Sequence, residues 1–131
     1  MNILVTGGSG FIGSNLSDYL VNRGHKVTVV DDLSTGYISN LSSVIEVISF
    51  YEEKIELFDF DKLPKFDVLV HLAAQPLVPI SVAKFGSSSS SNMLGTIKVI
   101  DYCRVNQIPL VYASSSAVYG NLELGNDQNS R

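Results

Sequence analysis

One cysteine, no tryptophan, four prolines and 17% charged residues leave this chain short of several common devices. The lone Cys103 cannot form an internal disulfide, and with only two widely separated histidines, His25 and His71, it offers no zinc-ligand spacing. Nine Lys and Arg against thirteen Asp and Glu give a net charge of −4, with the basic residues scattered along the chain. That balance excludes an electrostatic nucleic-acid binder. No apolar run approaches the roughly 20 residues needed to span a bilayer, since the longest, from Val68 to Ala74, is interrupted by His71. Met1 leads into a glycine loop without a basic leader or a small-residue cleavage site, so the expected compartment is the cytoplasm.

What the 131 residues do have is a 45% hydrophobic content, enough for the core of one domain. Asn2 to Thr6 is a nearly continuous apolar run, the signature of a strand covered on both faces as in a parallel sheet. From Phe11 to Arg23, Ile12, Leu16, Tyr19 and Leu20 recur at helical spacing, and Gly24 is placed to end that helix. Lys26 to Asp31 reads as a second buried strand, which completes a βαβ unit within about thirty residues. Further strands are predicted at Ile45–Phe50, Asp67–Leu72 and Leu110–Ser114, with one ambiguous short helix in Glu52–Lys65 closed by Pro64. A helix is predicted over Asn92–Asn106, with Met93, Ile97, Ile100 and Cys103 as its apolar stripe. The serine run Ser87–Ser91 reads as the cap and exposed first turn of that helix.

The sharpest chemical signal is Thr6-Gly7-Gly8-Ser9-Gly10-Phe11-Ile12-Gly13, set between a buried strand and an amphipathic helix. In that context Gly7 permits a sharp turn, Gly10 lets backbone approach a pyrophosphate, and Gly13 lets the helix lie close on the strand. The ligand then meets free N–H groups at the positive end of the helix dipole. Asp31 follows eighteen residues after Gly13, at the end of strand two, where a carboxylate accepts hydrogen bonds from an adenosine ribose. A 2′-phosphate there would meet Asp31 and Asp32 with no Arg between Lys26 and Asn40 to offset them, which selects NAD over NADP. Asp32 can also serve simply as the cap of the next turn.

These motifs, followed by Asp31-Asp32-Leu33-Ser34-Thr35-Gly36, His71-Leu72-Ala73-Ala74-Gln75, Asn92-x-x-Gly95-Thr96 and Ala113-Ser114-Ser115-Ser116-Ala117-Val118-Tyr119-Gly120, occur in one order from Asn2 to Gly120. The chain thereby resembles the extended short-chain dehydrogenase/reductases, and within them the NAD-dependent nucleotide-sugar epimerases and dehydratases. UDP-glucose and UDP-N-acetylglucosamine 4-epimerases are nearest in pattern. The resemblance implies that Gly7, Gly10, Phe11, Ile12 and Gly13 line the pyrophosphate, and that Asp31 holds the adenosine ribose. It makes Asp32, Ser34, Thr35 and Gly36 the rim around that ribose. Leu72, Ala73 and Ala74 then run beside the dinucleotide, Asn92 steadies it from the next helix, and Ser115 is the catalytic hydroxyl that bonds the sugar oxygen. His71 reads as a satisfied strand-end residue rather than a catalyst, and Tyr119 as a support for its loop.

Three departures from the family pattern stand out. The residues four after the six tyrosines are Arg23, Leu41, Ile55, Asn106, Ser116 and Glu123, so no Tyr-x-x-x-Lys supplies a general base. Family members continue for about 200 further residues carrying the last strands and a substrate domain, so the chain reads as the N-terminal part of a longer enzyme. Where relatives hold the adenine with an acidic residue followed by an apolar one, this chain has Lys54-Ile55, and Lys has no acceptor; Glu53 or a shifted register could substitute. The expectation is one α/β domain over residues 1–131, of Rossmann type, a doubly wound parallel sheet of about five strands in the order 3-2-1-4-5. NAD is the cofactor, a nucleotide-sugar the substrate of the full-length enzyme, and no metal, membrane or nucleic acid is involved. The rivals are a dehydratase or reductase of the same family, or a non-catalytic dinucleotide-binding module. A homo-oligomer is expected, because the family pairs the helix over Asn92–Asn106 with the next one in a four-helix interface. Leu94, Val99 and Val105 then face away from the sheet.

Overall fold

The computed structural model describes residues 1–115 and 118. Five parallel strands, β1 (Asn2–Thr6), β2 (Lys26–Asp31), β3 (Ser49–Glu52), β4 (Val68–His71) and β5 (Leu110–Tyr112), form one sheet in the order β3-β2-β1-β4-β5. The expected strand order is therefore the observed one, and the chain runs outward from β1 in both directions. Strand β1 is central, and alternate residues feed two cores. Leu4 joins Val30, Leu69, Val99 and Cys103 on one face, while Ile3 and Val5 join Val27, Val29, Leu41 and Val44 on the other. Covering both faces is why β1 is a continuous apolar run rather than an alternating one.

Helix α1 (Phe11–Asn22) covers the second face, through Gly13, Ser14 and Ser17 at closest approach and Leu16, Leu20 and Val21 beside them. Leu16 and Leu20 face the core as the periodicity predicts, whereas Ile12 and Tyr19 are exposed. The small residues at 13, 14 and 17 set the contact line, so the large ones on either side are displaced outward. On the other side runs one helical stretch, α2 (Val78–Ala83), then α3 (Phe85–Ser89), a π-helical turn (Ser90–Gly95) and α4 (Thr96–Asn106), of which α4 packs on the sheet core through Val99 and Cys103 while α2 buries no residue.

Two element expectations need correction. Strand three is Ser49–Glu52 rather than Ile45–Phe50. Residues 44–48 form turns whose Val44, Ile45 and Ile48 pack into the core under α1, so their apolar character reflects burial in a loop and not a strand. Helix α4 turns Val99 and Cys103 to the sheet and leaves Ile97 and Ile100 exposed, as is Met93 in the π-helical turn before it. The predicted stripe thus faces outward except at Cys103, and Val99, expected to face away, is fully buried. The ambiguous stretch before β4 holds only a 3-10 turn, Phe60–Lys62, and puts Ile55, Phe58 and Phe60 into the core.

Candidate functional site

The site begins where β1 runs out. Gly7 adopts φ +71°, a conformation that strains any residue with a Cβ, and a Cβ there would lie 2.6 Å from the Ala73 backbone nitrogen. Its N–H donates to the Val30 carbonyl at 2.9 Å, which ties the turn to β2. A Cβ on Gly13 would collide with the Gly7 carbonyl oxygen and stand 2.6 Å from Gly8 Cα. This glycine therefore sets how closely α1 can approach the loop. The first helical bond runs from Ser14 N–H to the Gly10 carbonyl at 2.9 Å, so the amides of Phe11, Ile12 and Gly13 precede the ladder at the positive end of the helix. A Cβ on Gly10 would meet only the Gly7 carbonyl, at 3.4 Å, and would otherwise enter the open cleft. That open position, beside those three amides, fits a pyrophosphate held by backbone.

Asp31 is buried at the end of β2, and each of its carboxylate oxygens accepts one backbone N–H: Ser9 on Oδ2 and Leu33 on Oδ1, both at 2.8 Å. The carboxylate is thereby fixed in place while each oxygen keeps acceptor capacity for a ribose hydroxyl. Asp32 accepts the Ser34 N–H at 3.0 Å and so does cap its own turn. The Ser34–Gly36 rim is locked to the glycine loop, since Gly36 packs on Ser9 and both Tyr37 N–H and Asn40 Nδ2 donate to the Ser9 carbonyl, at 3.2 and 2.8 Å.

His71 joins the two halves of the site. The Thr96 hydroxyl donates to the Asn92 carbonyl at 2.7 Å, so its oxygen is left to accept from His71 Nε2–H at 3.0 Å. His71 Nδ1 must then accept from the Thr6 hydroxyl, 2.6 Å away, and Thr6 Oγ1 in turn accepts the N–H groups of Leu72 and Ala73 at 3.3 Å each. This direction of donation requires a neutral imidazole, a tautomer assigned from its partners. Burial pushes the His71 pKa down from 6.5 to about 4, in the same sense. The far end of the relay is Asn92, whose side chain accepts Gln75 N–H at 2.7 Å and donates to the Gln75 carbonyl at 3.3 Å. His71 is thus the satisfied strand-end residue expected of it.

Together these elements wall a cleft of about 660 Å³ across the carboxyl ends of β1 and β4, where the strand order reverses. Among the residues singled out by sequence, Gly7, Gly10, Phe11, Ile12, Gly13, Asp31, Asp32, Ser34, Thr35, Gly36, Leu72, Ala73 and Ala74 all line it. Asn92 does not. Its amide is engaged by the Gln75 backbone, so it acts on the cleft through the Leu72–Gln75 loop. Ser115 is exposed three residues beyond β5, with its carbonyl accepting Val118 N–H at 3.2 Å, and Ala113 is the β5-side residue on the cleft wall. Ser116, Ala117, Tyr119, Gly120 and residues 121–131 lie outside the described residues.

The cleft also gathers Glu56, Lys84, Ser87, Ser88 and Ser91, to which sequence reasoning gave no role in the site, and it includes Glu53, Lys54 and Ile55, the position where relatives hold the adenine. The serine run is therefore not an exposed first turn. It lies inside the helical run, and Ser88 is buried. Among the described residues no cluster of His, Cys, Asp and Glu could hold a metal, and no helix is long and apolar enough to cross a membrane.

Comparison with known proteins agrees with this geometry. The model of the NAD dependent epimerase/dehydratase family matches residues 3–130. The chain belongs to the NAD-dependent epimerase/dehydratase family. A UDP-glucose 4-epimerase of Mycolicibacterium smegmatis is 39% identical over 127 residues, which are 92% of this chain and 41% of that protein. Among solved structures, a UDP-N-acetylglucosamine 4-epimerase from Methanobrevibacter ruminantium, in complex with UDP-N-acetylmuramic acid, superposes with TM-score 0.84 at 37% identity over 95% of this chain and 42% of that one. A Thermus thermophilus UDP-glucose 4-epimerase in complex with NAD gives TM-score 0.80 at 34% identity, covering 95% and 41%. The chain spans about two fifths of the length of these epimerase/dehydratase relatives.

Proposed function

We propose that residues 1–131 are the dinucleotide-binding domain of a nucleotide-sugar 4-epimerase, and that NAD lies along the cleft with its pyrophosphate on the first turn of α1 and its adenosine ribose on Asp31. The observation that carries this reading is that the open amides of Phe11–Gly13 and the fixed carboxylate of Asp31 face one cleft at the reversal of strand order. When bound, NAD supplies a reversible hydride acceptor. The chain's own residues bind and orient it: Gly7 and Gly13 keep the loop tight, and the Thr6–His71–Thr96–Asn92 relay holds the Leu72–Gln75 loop along its side. Ser115 is assigned to orient the sugar 4-hydroxyl. The test is titration calorimetry of the purified chain with NAD(H) and NADP(H): tighter binding of NAD(H) supports the reading, and equal or tighter NADP(H) binding refutes it.

The 131 residues contain no Tyr-x-x-x-Lys, and a Ser hydroxyl does not replace a Tyr of lowered pKa, whose proton transfer contributes roughly 10²–10⁴-fold. The chain alone is therefore expected to turn over no UDP-sugar, the behaviour of a binding module. Turnover abolished by Ser115→Ala would show that the proton path has been misassigned. Epimerase is separated from dehydratase by the product of the full-length enzyme, an inverted sugar against a 4-keto-6-deoxy one. Met93, Leu94, Ile97, Ile100 and Val105 are all exposed, an apolar surface suited to a second copy of the protein. Light scattering that finds only monomer at high micromolar concentration would count against that assembly.

A further inference from the structure

Apart from the dinucleotide cleft, a second hollow of about 470 Å³ is walled by Phe11, Ser14, Asn15 and Asp18 of α1 and by Asn40 and Ser43, in and just after the 3-10 turn Ile38–Leu41. Of these six residues the NAD reading uses only Phe11. Each polar side chain in the wall turns its donor group to the fold. Asn15 Nδ2 donates to the Phe11 carbonyl and Asn40 Nδ2 to the Ser9 carbonyl, both at 2.8 Å. A carbonyl only accepts, so both amides are fixed with nitrogen toward the backbone and Oδ1 as the outer end. The Ser14 hydroxyl donates to the Phe11 carbonyl at 3.3 Å, and the Ser43 hydroxyl to Asp18 Oδ1 at 2.8 Å. Asn22 Nδ2 donates to Asp18 Oδ2 at 3.0 Å, so the carboxylate is held from both sides while each oxygen keeps acceptor capacity. The hollow therefore offers acceptors and one carboxylate, and among the described residues no Lys or Arg lines it. Beside them stands the Phe11 ring, 84% exposed.

Such a wall matches a cationic ligand that carries donors alone, and the size of the hollow decides which kind. A metal ion needs oxygens closed around it at about 2.3–2.6 Å, whereas this space exceeds the roughly 30 Å³ share of one water more than tenfold. An organic cation fits. Compared with an ammonium, a guanidinium brings a planar fork for the carboxylate and a face that stacks on an aromatic ring. The same helix shows the stacking contact within itself, since Arg23 Cζ lies 4.6 Å from the Tyr19 ring centroid. Free arginine also carries a carboxylate, which would meet only acceptors here. The chemistry is that of an arginine whose main-chain ends are tied up in amides.

We propose that this hollow receives an arginine side chain of a partner polypeptide, its guanidinium on the Asp18 carboxylate and against the Phe11 ring, with Asn15 and Asn40 Oδ1 accepting its remaining N–H groups. The assignment stands whether or not the cleft binds NAD, because none of the polar residues of the hollow lines that cleft. The experiment is NMR titration of the nitrogen-labelled chain, into the millimolar range, with N-acetyl-arginine amide. Its controls are N-acetyl-citrulline amide, the neutral isostere, N-acetyl-lysine amide, free arginine and glucose. The blocked arginine should shift the side-chain amide signals of Asn15 and Asn40 saturably. The citrulline, lysine and free-arginine controls should each bind several-fold more weakly, and glucose should shift nothing. Asp18→Asn should weaken the blocked arginine by about threefold or more, the scale of a partly exposed ion pair. Asn15→Lys, at an exposed helical position, puts a cation into the hollow and should abolish the shift at Asn40. No saturable shift at these amides, shifts confined to the dinucleotide cleft, or equal binding of the citrulline amide, the lysine amide or glucose overturns the proposal. Tighter binding of free arginine overturns a polypeptide as the source. Should Asp18→Asn not fold, the ranking of ligands on the unmodified chain and the Asn15→Lys result decide.

Discussion

Protonating His71 should dismantle the relay that joins the two halves of the site, and the size of the effect can be worked from its environment. The imidazole is 1% exposed, and burial holds its pKa at about 4 against 6.5 in an unfolded chain. A depressed pKa on a base means that the unfolded state binds the proton more readily than the folded one. Stability from the neutral ring is therefore fully present above pH 6.5 and is lost as pH falls toward about 4. At about 1.4 kcal/mol per pH unit, the loss is about 3 kcal/mol, a large fraction of the 5–15 kcal/mol typical of a domain. The donor pattern gives the atomic reason. An added proton on Nδ1 would face Thr6 Oγ1, which already accepts from Leu72 and Ala73 and would have to turn its own hydrogen elsewhere. The assay is urea unfolding at intervals from pH 7.5 to 4.5, on the unmodified chain and on His71→Gln, so that the difference between the two profiles removes the carboxylates common to both. Ring-nitrogen NMR should find Nε2 protonated and Nδ1 bare at pH 7. A His71 titration midpoint at or above 6.5, or two profiles that run parallel across the range, would refute the reasoning.

Asp31→Ala should narrow the preference for NAD(H) over NADP(H), measured by calorimetry. For a like-charge contact intermediate between about 4 kcal/mol per unit charge at 4 Å with an effective dielectric of 20 and about 1 kcal/mol in water, roughly 2 kcal/mol or about 30-fold is at stake. It should also lower stability in urea by about 1–3 kcal/mol, because the Ser9 and Leu33 amides lose their acceptors. Gly13→Ala places a methyl against the Gly7 carbonyl and should abolish detectable NAD binding; calorimetry that finds wild-type affinity would show that α1 has room to move away. On α4, Val99→Ala should cost about 2 kcal/mol by denaturation and Ile97→Ala less than about 0.5 kcal/mol in a monomeric sample, an ordering opposite to that expected from the Met93–Ile97–Ile100 stripe.

The strand order was legible because β1, β2 and β4 are each apolar on both faces and each is bounded by turn chemistry, which leaves little choice but a covered parallel sheet. Strand β3 was misplaced for a physical reason: it is the edge strand and mostly exposed, so its sequence Ser49-Phe50-Tyr51-Glu52 carries a weaker apolar signal than the buried turn that precedes it. Helix α4 was misread in phase. Its sequence offers two apolar stripes, and the one through Val99 and Cys103 is buried while Ile97 and Ile100 are exposed. Gly95 and Val99, a small residue and a branched one four apart, turn out to be the buried pair, and a periodicity count weighted toward large side chains overlooks a glycine contact.

The site divides along the same line. The residues that line the cleft where sequence placed them include those that turn the backbone tightly or end a strand in a carboxylate, because local spacing alone fixes where they sit: Gly7, Gly13 and Asp31 need only one βαβ unit. Glu56 and Ser88, which sequence left unassigned, are separated by 32 positions and line one cleft, with Ile55 packed on Gly95 and Lys98 Nζ donating to the Glu56 carbonyl. A lysine at 54 looks like a lost contact when the loop is read alone. Once the loop is folded onto the helix, Glu56 two residues later lines the same cleft, as does Ser88 from a run that resembled a mere cap. The polar end of the cleft is thus built by tertiary docking, and the residue that makes docking possible is a glycine with no chemistry of its own.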